Sequence, residues 1–168
     1  MTARGRCATA ALAAAVVGSM PAPARGEEIS RFRVGAGVFE FNLPTAAAAE
    51  LAIQYRVGRN TGPFHPLAGA LVTTDGGVFA YAGFGSDIPL GRFAVLRPSF
   101  GPGFYRRGTG KELGAYLNFR TAVEIAFRLG AGRRLALEMD HVSNAGAAPT
   151  NRGAESLLIT FAVPWGRR

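Results

Sequence analysis

Apolar and polar residues alternate along much of the chain, most cleanly between positions 115 and 129. There Leu117, Phe119, Thr121, Val123, Ile125, Phe127 and Leu129 share one parity, against Asn118, Arg120, Ala122, Glu124, Ala126 and Arg128 on the other. A period of two is that of a β-strand with two unlike faces. Clusters of Gly, Pro, Asn and Asp interrupt the chain at intervals. Between them eight segments read as strands, at roughly 31 to 43, 48 to 58, 65 to 74, 77 to 86, 91 to 101, 115 to 129, 133 to 143 and 154 to 163. Asp75-Gly76-Gly77 is a hairpin turn signal. Gly101-Pro102-Gly103 sits among turn residues, and with no helix after it, it is no phosphate loop.

A soluble barrel puts the greasy face of such strands inside, whereas a membrane barrel turns it outward to lipid and fills its interior with small and polar groups. Arg120, Glu124 and Arg128 form a ladder that suits pairing inside a narrow barrel but also an ordinary solvated face; the membrane reading is preferred. Eight strands of about ten residues, tilted across an apolar layer of roughly 30 Å, close into a barrel whose interior holds side chains and no pore. The expected fold is therefore all-β: an eight-stranded antiparallel transmembrane β-barrel of the outer membrane.

The N-terminus agrees with export. Arg4 and Arg6 precede an apolar run from Ala8 to Val17, and Ala22-Pro23-Ala24 supplies a small-x-small exit. The run of about ten residues is too short to span a bilayer and reads as a signal peptide, residues 1–24, leaving one barrel domain at 25–168. Cys7 lies inside that signal, so the mature chain is expected to hold no disulfide and no thiolate site. The formal charge of +8 falls by two with Arg4 and Arg6 but stays basic. A basic exported protein is expected to meet phosphorylated lipid and no nucleic acid. Many outer-membrane barrels finish on an aromatic assembly signal, whereas here Trp165 is followed by Gly166-Arg167-Arg168.

Candidate chemistry concentrates near the C-terminus. Leu135, Leu137 and Met139 define one face of the seventh segment, and steps of two continue onto His141 and Ser143. In the eighth, Glu155 stands in line with Leu157, Ile159, Phe161 and Val163. If the two strands are antiparallel neighbours, a hydroxyl, an imidazole and a carboxylate meet near one rim, on the outward side. Nucleophilic acyl transfer needs such a set: serine requires a base, and the base works better when a carboxylate fixes its tautomer. Polar groups facing lipid are otherwise expensive, which makes sense of a lipid substrate. The same residues also read as a polar rim capping a strand before a turn. His65, before Pro66 in an expected turn, reads as a surface histidine.

His141-Val142-Ser143-Asn144-Ala145-Gly146, with Asn151-x-Gly153 and Glu155 downstream, resembles the motif of the lipid A 3-O-deacylase (PagL-like) family. The resemblance implies an outer-membrane esterase that removes the acyl chain at the 3-position of lipid A, with lipopolysaccharide as substrate and no metal or other cofactor. It also implies Ser143 as nucleophile, His141 as general base and Glu155 as the group orienting the imidazole. Asn151 is the preferred oxyanion donor, with Asn144 shaping the loop, and Gly146 and Gly153 allow turns or close approach. Arg152, Arg106 and Arg107, the last two with Lys111 in an expected loop, are candidate phosphate contacts. Arg133, Arg134, Arg167 and Arg168 read as periplasmic rim charge. A non-enzymatic structural or adhesive barrel and a soluble periplasmic lipid-binding barrel remain alternatives, and a homodimer stays open.

Overall fold

Residues 29–58 and 63–165 are described by the computed structural model. The expected signal segment with Cys7, and the end Gly166-Arg167-Arg168, lie outside them. Among the described residues nine strands follow in chain order: β1 (Arg31–Phe39), β2 (Ala48–Arg56), β3 (His65–Thr73), β4 (Val78–Gly85), β5 (Ile88–Leu90), β6 (Ala94–Arg106), β7 (Leu117–Arg128), β8 (Arg134–Ser143) and β9 (Ala154–Pro164). The short β5 pairs only with the base of β6. The other eight run antiparallel round the wall, and β4–β6 and β1–β9 pairings close the barrel. The eight expected segments map onto these eight strands, and the Asp75-Gly76-Gly77 turn joins β3 to β4 with Gly76 at φ +80°.

Alternation sorts the residues of each strand in the sense opposite to a water-soluble protein. Leu51, Ile53, Ile125, Leu137 and Ile159 face out and are exposed, whereas Arg33, Arg120, Glu124, Glu138 and Asp140 face in with 2 to 3 % exposure. Exposed aliphatics over buried charge suit apolar surroundings. The buried charges answer one another across strands. Arg33 donates to Glu124 at 2.8 Å and to Glu138; Arg97 donates to Glu124; and Arg120 donates to Glu138 at 2.6 Å and, through Nε, to Asp140 at 2.9 Å. Inward Ala52, Ala122, Ala126 and Ala136 make the room these long side chains need. Towards the end where β8 finishes the interior turns apolar, with Phe39, Tyr105, Val142 and Leu158 buried under Leu113, which reaches in from the β6–β7 loop.

The structure corrects several expectations. The fifth segment runs from 94 to 106 rather than 91 to 101, so Gly101-Pro102-Gly103 lies inside β6 and Arg106 ends that strand instead of standing in a loop. Those glycines are spacers. A Cβ on Gly101 would fall 2.3 Å from the Ala82 carbonyl oxygen of β4, and one on Gly103 would fall 2.6 Å from the Phe79 ring. His65 opens β3 and is buried, because its parity points inward with Leu67 and Leu71. Arg134 is also inward and buried, and with Arg56 and Arg97 it pairs with Asp87; of the four expected rim charges Arg133 is exposed, while Arg167 and Arg168 lie outside the described residues.

Candidate active site

Strands β8 and β9 form a hairpin whose register sets His141 opposite Glu155. Inward Glu138, Asp140 and Val142 force the alternate residues outward, so the row Leu135, Leu137, Met139 ends in His141 and Ser143 on the outer wall. Glu155 begins the corresponding row on β9. The pairing brings His141 Nδ1 to 3.0 Å from Glu155 Oε1, with the two side chains 47 % and 32 % exposed. With Nδ1 engaged, Nε2 is the ring nitrogen left for another partner. Ser143 lies two residues on, about 7 Å along the same face, and its hydroxyl makes no hydrogen bond among the described residues. On the far side of β8, Phe119 and Thr121 of β7 stand opposite Ser143 and His141.

The β8–β9 loop is organised by Asn144, which is wholly buried. Its Nδ2 donates to the carbonyls of Leu113 (2.9 Å) and Thr150 (2.7 Å), and its Oδ1 accepts from the Gly146 amide (2.9 Å). Both amide hydrogens are thereby used. Asn151 differs: its Oδ1 accepts from the Asn144 amide at 3.1 Å, which leaves its Nδ2 without a partner among the described residues. Gly153 has φ +51°, and a Cβ there would fall 2.6 Å from His141 Cε1, so the imidazole lies against bare backbone.

Two residues that the pattern did not single out complete the surroundings. Glu40 follows β1 with φ +58° and is wholly buried. Its amide donates to the Glu155 carbonyl at 2.7 Å, and its Oε1 accepts from the Glu155 amide at 3.2 Å. Lys111 pairs with the remaining oxygen. Beyond that turn, Asn42 Nδ2 donates to Glu155 Oε2 at 2.9 Å.

A family model described as lipid A 3-O-deacylase (PagL) matches residues 32–164. The chain belongs to the lipid A 3-O-deacylase (PagL) family. Among solved structures, the crystal structure of the outer membrane enzyme PagL is similar, with a TM-score of 0.64, 15% identity, and coverage of 80% of this chain and 99% of that one. A de novo designed transmembrane β-barrel is similar in fold, with a TM-score of 0.61, 11% identity, and coverage of 86% and 100%. A comparison with curated proteins returned no match.

Within this PagL-family chain the sequence-derived cations divide. Arg107 and Arg152, with Lys111, line an open basin of about 750 Å³ over the barrel mouth, beside Glu40, Asp75 and Thr109. Arg107 is paired with Glu112 at 3.5 Å. Arg106 instead faces outward at the top of β6. Among the described residues no group of three His, Cys, Asp or Glu side chains is placed to hold a metal ion.

The glycine under the imidazole gives a direct expectation. With His141 as the base that the family motif implies, Gly153→Ala should lower ester hydrolysis by about 100-fold, the cost of displacing a reacting group by about 1 Å. The barrel should still fold, because strain at one positive-φ loop position costs only about 1 kcal/mol. Hydrolysis rates, alongside the gel mobility of folded and heated protein, separate the two effects.

Proposed function

We propose that this protein is an outer-membrane esterase that hydrolyses the 3-O-linked acyl chain of lipid A, using Ser143, His141 and Glu155. The observation that carries the reading is the His141–Glu155 hydrogen bond on the outward wall, with Ser143 on the same face. Ser143 Oγ attacks the ester carbonyl while His141 Nε2 takes its proton, and Glu155 holds the ring and steadies the imidazolium. The Asn151 Nδ2 donates to the oxyanion, a contribution typically of about 2.7 to 4 kcal/mol to the barrier, while Asn144 shapes the loop. His141 then protonates the departing 3-oxygen of the sugar. Water, activated by the same imidazole, releases a 3-hydroxy fatty acid from Ser143 and leaves 3-O-deacylated lipid A.

Placement on the outer wall fits a substrate whose acyl chains lie in the membrane and whose sugars lie at its edge. Arg152, which has no ion pair among the described residues, and Arg107 offer the phosphates of the headgroup two forked donors from the basin. Arg106 offers a third from the outer wall. Expression in an outer membrane should yield lipid A lighter by one 3-hydroxyacyl group than lipid A from cells with an empty vector. Unchanged lipid A, both in cells and after incubation with the purified protein in detergent, would sink the proposal.

A further inference from the structure

The catalytic reading assigns Glu155 one task, held through one oxygen. The structure also engages the other oxygen and the backbone on both sides of it. Glu155 Oε1 meets His141 Nδ1 at 3.0 Å, and Oε2 accepts from Asn42 Nδ2 at 2.9 Å. The Glu155 amide and carbonyl are both bonded to Glu40, whose positive-φ turn folds the β1–β2 loop back over the start of β9. That turn is closed by the Leu43 amide on the Glu40 carbonyl at 3.0 Å, which carries Asn42 over the carboxylate.

A carboxylate one-third exposed at a rim rotates about its terminal bonds unless both oxygens are held. A donor on the oxygen remote from the imidazole fixes the plane of the group, and the near oxygen is left to the histidine. We infer that Asn42 is a positioning residue of this esterase: from the β1–β2 loop it fixes the second oxygen of Glu155 and, through it, the orientation of His141. Glu40 sets the height of Glu155 on the wall, and its ion pair with Lys111 ties that setting to the β6–β7 loop. Asn42 itself is exposed and buries nothing, so its substitution leaves the wall of the barrel intact.

The inference rests on the Ser143–His141–Glu155 reading, and a double-mutant cycle tests the two separately. Full-length protein in detergent micelles, acting on purified lipid A with its 3-O-acyl chain, is compared as wild type, Asn42→Ala, Glu155→Ala and the double variant. Asn42→Ala should lower kcat by about 10-fold with KM within about two-fold, the scale of one hydrogen bond to a charged group. In the Glu155→Ala background the same substitution should change kcat by less than about two-fold, because its target is gone. Unchanged kcat in Asn42→Ala, with Glu155→Ala impaired, overturns the positioning role alone. An equal loss in both backgrounds also overturns it, by showing that Asn42 acts elsewhere. Wild-type turnover in Glu155→Ala removes the triad and the positioning role together.

Discussion

Ser143→Ala is expected to leave lipid A untouched while the barrel assembles as before. Loss of the nucleophile from a serine triad lowers turnover by on the order of 10⁶-fold, and what remains comes from binding and the oxyanion donor alone. In an assay on extracted lipid A this is indistinguishable from zero. Assembly should be unaffected because the Ser143 hydroxyl has no partner among the described residues and sits half-exposed at a strand end. Substitutions of that kind stay within about 0.5 kcal/mol of neutral. The measurement is the mass of lipid A from cells holding equal amounts of inserted wild-type and Ser143→Ala protein. Trimming by the alanine protein at the wild-type rate would place the nucleophile elsewhere. Equal inactivity of both in cells shifts the comparison to detergent, where the wild type alone should act.

The second large effect is on stability. Arg120 lies inside the barrel with 3 % exposure, bonded to Asp140 through Nε at 2.9 Å and to Glu138 at 2.6 Å, its guanidinium 4.8 Å from the Tyr81 ring centre. Glu138 also has Arg33, but among the described residues Asp140 has no second cation in ion-pair contact, and its Oδ1 is buried with no hydrogen bond from them. Arg120→Met therefore strands a buried carboxylate, at a cost of about 3 to 5 kcal/mol. Adding Asp140→Asn should recover most of the loss, since the unpaired charge then disappears. Urea unfolding in lipid vesicles, followed by the gel shift between folded and unfolded barrel, reads both. A midpoint for Arg120→Met equal to that of the wild type would show that the pair contributes little.

Most of the wall was legible because a period of two needs no knowledge of neighbours. The row from Leu117 to Arg128 names its own inside and outside once the surroundings are known to be apolar. The same local rule failed where a residue's role depended on another strand. Gly101 and Gly103 look like turn residues until Gly83 and Phe79 are set beside them, and His65 looks superficial until its parity is joined to that of Leu67. The hydrogen-bonded pair of the site was legible because His141 and Glu155 are 14 residues apart in one hairpin. Asn42 was not, because 113 residues separate it from Glu155 and the first expected segment, 31 to 43, runs through it. Only the positive φ of Glu40 ends the strand there, and an acidic residue in that conformation leaves no mark in a hydropathy pattern.

His141 and Glu155 look sideways from the wall rather than into the lumen, and this changes what concentration means for the reaction. On the proposed reading the encounter is a lateral one within a leaflet, and the rate law then contains the mole fraction of substrate among its neighbours rather than its amount per litre. Inert lipid or detergent added to the same sample then slows turnover by surface dilution alone, with enzyme and substrate quantities unchanged.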